Sequence, residues 1–256
     1  KSLQSGTTHY LGNNFAKAFD IKFLDKDGTH KYVYQASWGI STRLIGAIIM
    51  AHGDERGLCL PPKVAPVQAV VIPIGAAKNP EVAAKAEELK RGLVDAGVRV
   101  TVDDRDQSPG FKFNHWELRG VPVRMELGAR DIAAGVVTVC RRDTSEKFTM
   151  PIDGELAANT VKLLETISVA MLQKADAFTK SHIVSVASMP EMSEALDGGN
   201  FCDAYWCGER ECEDKIKQQF AATSRVFHAD QSDAHEHTCV CCGKKAKHRI
   251  YFARAY

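Results

Sequence analysis

From Pro66 to Phe178 the chain alternates short β-branched runs with segments whose apolar positions recur at helical spacing. The run "PVQAVVIPI" reads as a strand, and in "NPEVAAKAEELKRGLVDAG" the positions Val82, Ala86, Leu89 and Leu93 predict a helix that Gly97 stops. Next come the strand "VRVTVDD", a helical candidate around "FKFNHWELRG" and two further strands, "VPVRMEL" and "GVVTVCRR". Such alternation argues for an α/β layer with a largely parallel or mixed sheet. A long amphipathic helix from about Gly154 to Phe178 follows, with Leu156, Leu163, Leu164, Ile167 and Met171 along it.

Patterning differs on either side. Upstream, "HYLGNNFAKAFDIKFLDKDG" leads through a "DKDG" turn into "HKYVYQASWG", a hairpin, and then into the helix-like "TRLIGAIIMAH" and Pro61–Pro62. Downstream, "SHIVSVASMPEMSEALDGG" starts as strand and helix and runs into a cysteine cluster. The expectation is a multidomain chain of α/β and α+β parts in three zones, residues 1–64, 65–180 and 181–256.

Composition narrows this only moderately. The 256 residues are 45% hydrophobic and 25% charged, as expected for one to three globular domains. A formal net charge of +1 excludes a broadly basic protein, so contact with nucleic acid requires a local face. The longest strongly apolar run, Leu44 to Ala51, falls far short of the roughly 20 residues that span a bilayer, and no signal peptide is evident. The expected protein is soluble and cytoplasmic, without membrane or DNA as partner.

Six of eight cysteines fall between Cys202 and Cys242, which favours metal binding over a disulfide framework, while Cys59 and Cys140 read as core. The spacings Cys207-x4-Cys212 and Cys239-x2-Cys242 suit tetrahedral thiolate ligation of structural Zn²⁺. Cys202 and Cys241 are surplus, which leaves open that Cys241 replaces Cys242 or that His228, His235 or His237 ligates; the histidine loop itself is expected to be solvated and mobile. In "SWGISTR", a helix start bearing Thr42 and Arg43 aims a hydroxyl and a guanidinium where anions bind, the alternative being a solvated helix-start residue. The segment "FKFNHWELRG" sets Lys112, Glu117 and Arg119 among Phe111, Phe113 and Trp116, a mixture suited to unstacked bases, or else an amphipathic helix with aromatics inward.

Taken together, "GISTRLIGAIIMAHGDERGLCLPP" resembles the third signature motif of class II aminoacyl-tRNA synthetases, in particular the prolyl-tRNA synthetase family. Upstream, "GTTHYLGNNFAKAFDIKF" and "YQASWGISTR" resemble the family's ATP and proline segments, and "SPGFKFNHWELRGVPVRMELGARD" is similar to its anticodon-binding signature. The closing "CVCCGKKAKHRIYFARAY" resembles the cysteine pair and terminal tyrosine of the archaeal and eukaryotic type.

The resemblance implies the remainder of an antiparallel class II catalytic sheet, an anticodon-binding domain with a mixed sheet, and a small α+β zinc domain. It implies ATP with Mg²⁺ at Gln4, Thr7, Ser41, Thr42 and Arg43, with Arg43 catalytic on the polyphosphate, and L-proline near His9 and Trp38. It further implies tRNA(Pro) read by Phe111, Lys112 and Glu117, with Arg142 as a further candidate, zinc on Cys207, Cys212, Cys239 and Cys242, a homodimer, and Tyr256 linking domains. The family's first two motifs are not found in the sequence, so a C-terminal portion of such an enzyme is expected, the alternative being a non-catalytic tRNA-binding module.

Overall fold

A computed structural model describes residues 2–255, which fall into two compact units: residues 48–178, and residues up to 47 together with those from 179 onward. Among the described residues no helix is long and apolar enough to cross a membrane.

The first of these units is built on a five-stranded mixed sheet. Ala69–Pro73 lies between Val100–Val102 and Val123–Leu127, parallel to both, and Val136–Arg141 and Lys147–Pro151 extend the sheet antiparallel beyond Val123–Leu127. The apolar run of Ala69–Pro73 follows from burial on both faces. Ala69 and Val71 pack in a core with Leu89, Leu93, Leu164 and Ile167 of the helices Pro80–Asp95 and Leu156–Ser181. Val70 and Ile72 face the other way, against Phe113 and Trp116 of the helix Pro109–Leu118. Lys147–Pro151 is a strand beyond those expected, and Cys59 and Cys140 are half-buried rather than core.

Two glycines lock a small hairpin, Gly53–Asp54 with Gly57–Leu58, onto the end of the helix Pro109–Leu118. Gly57 has φ +120° and a Cβ there would lie 2.6 Å from the Leu118 backbone; Gly120 has φ +73° and a Cβ would lie 2.7 Å from Leu58. Each requires glycine for conformation and for close approach alike.

In the other unit, Gly6–Gly12 pairs antiparallel with Gln35–Ile40, and the expected hairpin forms from Lys22–Leu24 and His30–Tyr32 across the "DKDG" turn. The helix Arg43–His52 has no buried residue. The C-terminal part is a four-stranded sheet in the order Ile183–Ser185, Phe201–Trp206, His248–Arg254 and Ala222–Phe227. Helices Met189–Asp197 and Arg210–Phe220 pack on it around Met192, Ile216 and Phe252. The last three strands were hidden from the sequence reading by the cysteine cluster that interrupts them. Tyr256 lies outside the described residues.

Candidate functional site

Three places carry the expected chemistry. At the first, Ser41 sits ahead of the helix Arg43–His52 and its hydroxyl accepts from the Arg43 backbone N–H at 3.3 Å. Arg43 Nη1 donates to the backbone and side-chain oxygens of Gln4, both at 3.5 Å, and Gln4 Nε2 donates to Thr7 Oγ1 at 2.7 Å. Gln4, Thr7, Ser41 and Arg43 therefore gather in one place, with Thr42 next in the chain. The guanidinium makes long bonds to neutral oxygens and pairs with no carboxylate among the described residues, so its charge remains free to meet an anion.

His9 and Trp38 are not brought together. Thr8 lies opposite Trp38, whereas His9 lies opposite Ser37 and Thr7 opposite Gly39. Directly paired residues share a face and neighbours alternate, so His9 shares its face with Thr7 while Trp38 projects from the reverse face. Trp38 is 76% exposed.

The second place is the helix Pro109–Leu118. Ser108 caps it, its Oγ accepting from the Phe111 backbone N–H, and Pro109 fills the first turn, where no amide donor is needed. Phe111 is 51% exposed, but Lys112 is only 5% exposed and donates from Nζ to the Asp103 carbonyl at 2.9 Å. Its ammonium anchors the preceding loop. Glu117 accepts from Arg56 Nη1 at 2.6 Å, and Arg56 Nη2 reaches Ser145 Oγ at 2.6 Å.

Two carboxylates that the sequence reading did not single out hold this region together. Asp103 is buried, takes both Arg105 Nε at 2.8 Å and Nη2 at 2.6 Å, and accepts from Trp116 Nε1 at 2.7 Å. The Arg105 hydrogen bonds, aided by that of Trp116, outweigh burial and bring its carboxyl down to about 2. Asp54 grips Arg142 in a bidentate pair at 2.8 and 2.6 Å, which holds its carboxyl well below the usual range. A narrow cleft beside them is lined by Glu117, Arg124, Arg141 and Arg142.

The third place is the cysteine cluster. Cys207 follows the strand Phe201–Trp206, Cys212 lies in the first turn of the helix Arg210–Phe220, and Cys239 and Cys242 come from a tight turn closed by Gly243, φ +70°, whose N–H donates to the Cys239 carbonyl at 2.9 Å. Val240 N donates to the Tyr205 carbonyl at 2.9 Å, which pins the turn to the sheet. The four sulfurs lie within 4.8 Å of one another, with Cys207 3.6 Å from Cys212 and 3.9 Å from Cys242. A tetrahedral ion with metal–sulfur bonds of about 2.3 Å needs sulfurs roughly 3.8 Å apart, so the donor set fits a metal. Burial pushes the Cys207 and Cys212 thiols up; for Cys239 burial is outweighed by backbone N–H groups of Cys242, Cys241 and Cys207, which bring it to about 7.

The neighbouring residues are otherwise engaged. Cys202 is fully buried in the core, and burial raises its thiol to about 11. The histidine loop is more tied down than expected: His237 stacks on Tyr205 with centroids 3.8 Å apart, His228 Nδ1 accepts from the Asp230 N–H at 3.0 Å, and Tyr205 donates to Asp233 at 2.6 Å.

Residues 68–159 match the model of the anticodon binding domain, and residues 189–256 match the model described as prolyl-tRNA synthetase, C-terminal. The whole chain is 50% identical over 257 residues to a proline–tRNA ligase of Lachnospira eligens, 48% over 267 residues to one of Symbiobacterium thermophilum, and 46% over 256 residues to one of Oceanobacillus iheyensis. Over its full length the chain resembles the C-terminal portion of prolyl-tRNA synthetases. It spans about half the length of these curated relatives, 53%, 54% and 53% respectively. Within the family match, the anticodon-binding model covers the whole mixed sheet and the helix Pro109–Leu118, and the C-terminal model covers all four clustered cysteines.

Proposed function

We propose that this chain is a working part of an ATP-dependent ligase that activates L-proline as prolyl-adenylate and transfers it to tRNA(Pro). The observation that carries this reading is the match of the entire chain, at 46–50% identity, to relatives named for that reaction. Residues 1–64 are then the C-terminal part of a class II catalytic domain, 65–180 the anticodon-binding domain with its connecting helix, and 181–256 the zinc domain. Exposed apolar side chains support the first assignment. Tyr10, Trp38, Ile40 and Ile45 are 77%, 76%, 71% and 63% exposed, as suits a strand pair and helix belonging to a larger sheet.

In the first step the prolyl carboxylate attacks the α-phosphorus of ATP and pyrophosphate leaves. Mg²⁺, when bound, neutralises polyphosphate charge. Arg43 holds the polyphosphate with its uncommitted guanidinium, Gln4 orients Arg43 and ties it to Thr7, and Ser41 and Thr42 line the same floor. His9 and Trp38 serve proline from opposite faces of the strand pair, so only one lines the pocket directly and the other shapes the wall behind it. The second step needs tRNA(Pro) held by its anticodon, for which Phe111 offers a ring and Glu117 a carboxylate fixed by Arg56. Cys207, Cys212, Cys239 and Cys242 hold Zn²⁺ in a closed sphere, which stabilises the domain and takes no part in ligation. The enzyme acts as a homodimer in the cytoplasm.

Arg43→Ala tests this reading in the whole polypeptide that contains the chain. The expected result is loss of proline-dependent adenylate, measured in single turnover, with binding to an anticodon stem-loop unchanged. Adenylate formation at the parental rate would remove Arg43 from the active site.

A further inference from the structure

The cysteine cluster brings together five sulfurs where a tetrahedral ion uses four. Cys241 stands between Cys239 and Cys242 in the chain, and its sulfur lies within hydrogen-bonding reach of the Cys212 sulfur. Cys212 Sγ also meets the sulfurs of Cys207 and Cys242, so it is the one ligand atom that touches both the spare thiol and the rest of the set.

The backbone fixes Cys241 in that place. The Gly243 N–H donates to the Cys239 carbonyl at 2.9 Å and the Cys239 N–H to the Lys244 carbonyl at 2.7 Å, while the N–H groups of Cys241 and Cys242 are directed at the Cys239 sulfur. No rearrangement of the turn is needed to bring the two sulfurs together. Access differs between them: Cys212 is 7% exposed and Cys241 is half-buried. Cys202, the other cysteine of this region outside the ligand set, is fully buried and spends its thiol on the Met192 carbonyl at 3.7 Å.

Zn²⁺ has no redox chemistry of its own, so an oxidant at such a centre acts on sulfur. Sulfurs that ligate have an electron pair committed to the metal, and Cys241 does not. A thiol reached from solvent and backed by a second sulfur is the arrangement in which a sulfenic acid is captured as a disulfide before it oxidises further.

We propose, on the reading that Cys207, Cys212, Cys239 and Cys242 hold Zn²⁺, that Cys241 is a hydroperoxide-reactive site whose oxidation withdraws Cys212 from the ligand set. The Cys241 thiolate attacks the O–O bond of hydrogen peroxide; an S–O bond forms, and the hydroxide released takes up the thiol's proton as water. The Cys212 sulfur then attacks the Cys241 sulfur. The S–S bond forms, the S–O bond breaks, and the sulfenic oxygen leaves with a proton as a second water. Two thiols are oxidised by two electrons in all, and one peroxide is reduced. Three sulfurs remain, too few to close the site, so the domain loses the stability that a structural metal supplies. A dithiol reverses the bond by thiol–disulfide exchange.

The test treats the whole polypeptide containing this chain, as purified, with one equivalent of hydrogen peroxide per chain. Zinc release is followed with a chelating dye, and disulfides are mapped by mass spectrometry. The expected result is loss of zinc together with a peptide linking Cys212 to Cys241, Cys202 staying reduced, and recovery of both on adding dithiothreitol and Zn²⁺. Cys241→Ser and Cys241→Ala keep all four ligands; both are expected to match the wild type in zinc content and melting temperature before treatment, and to release zinc several-fold more slowly with no linked peptide. The wild-type peptide map reads the same bond without any substitution. Release at the parental rate from these variants, or disulfides formed only among Cys207, Cys212, Cys239 and Cys242, overturns the site and leaves the zinc reading standing. Wild-type polypeptide that holds no zinc by elemental analysis overturns both.

Discussion

At the scale of single residues, the region around the helix Pro109–Leu118 is organised by two carboxylates. Asp103 has its pKa lowered to about 2 in the fold, against an unfolded value of 3.8. A depressed carboxyl contributes stability that is fully present above the unfolded value and is lost as pH falls through the folded one. Thermal stability of residues 48–178 should therefore fall between about pH 4 and pH 2, and Asp103→Asn should be less stable at neutral pH with a flatter acid limb; an unchanged acid profile would contradict this. Arg142 is nearly buried against Asp54, which is 43% exposed. Arg142→Ala should cost about 2–3 kcal/mol in urea denaturation, below the range for a fully buried pair because solvent reaches Asp54. Neither pair is legible in the sequence: Arg142 lies 88 residues from Asp54, and a charge pattern carries no information about partners at that distance. Lys112 shows the same limit, since a lysine in "FKFNHW" reads as a surface cation until the fold places the Asp103 carbonyl over it.

At the scale of elements, the sequence is much more informative wherever one face is buried. Val82, Ala86, Leu89 and Leu93 mark the helix Pro80–Asp95 because all four enter the core. The continuous apolar run of Ala69–Pro73 signals a strand covered on both sides. The edge strand Lys147–Pro151 escapes notice because only Met150 in it is buried, so its pattern alternates weakly. The hairpin locked by Gly57 and Gly120 also leaves little trace, since glycine marks a turn without saying what approaches it. Gly57→Ala should cost on the order of 2 kcal/mol or more, from both backbone strain and the clash with Leu118. Gly97→Ala, with φ +81° and open space around it, should cost about 1–2 kcal/mol from strain alone. Equal losses in chemical denaturation would show that close approach at Gly57 contributes nothing.

At the scale of the whole molecule, the spacing of the clustered cysteines pointed to the same four sulfurs that the fold gathers, but it left Cys241 and the histidines as alternatives. In the fold the sulfurs of Cys207, Cys212, Cys239 and Cys242 lie within 4.8 Å of one another, Cys241 also reaches Cys212, and His237 is stacked on Tyr205. Cys242→Ser should lose one equivalent of tightly bound metal by elemental analysis and lower the melting temperature of the unit containing residues 179 onward, whereas Cys241→Ser should retain both. The reverse pattern would exchange their roles. The motif order also suggested the family, because short segments separated along the chain all resembled parts of one kind of enzyme. The anion-binding floor at Arg43, the aromatic helix face and the thiol cluster are three different chemistries, and the proposed ligation of proline to tRNA accounts for the first two together. The central claim is tested most directly by exchange of pyrophosphate into ATP, run on the whole polypeptide containing this chain with each amino acid in turn. The account predicts exchange that depends on proline and is lost in Arg43→Ala; exchange driven equally by other amino acids, or by none, would contradict it.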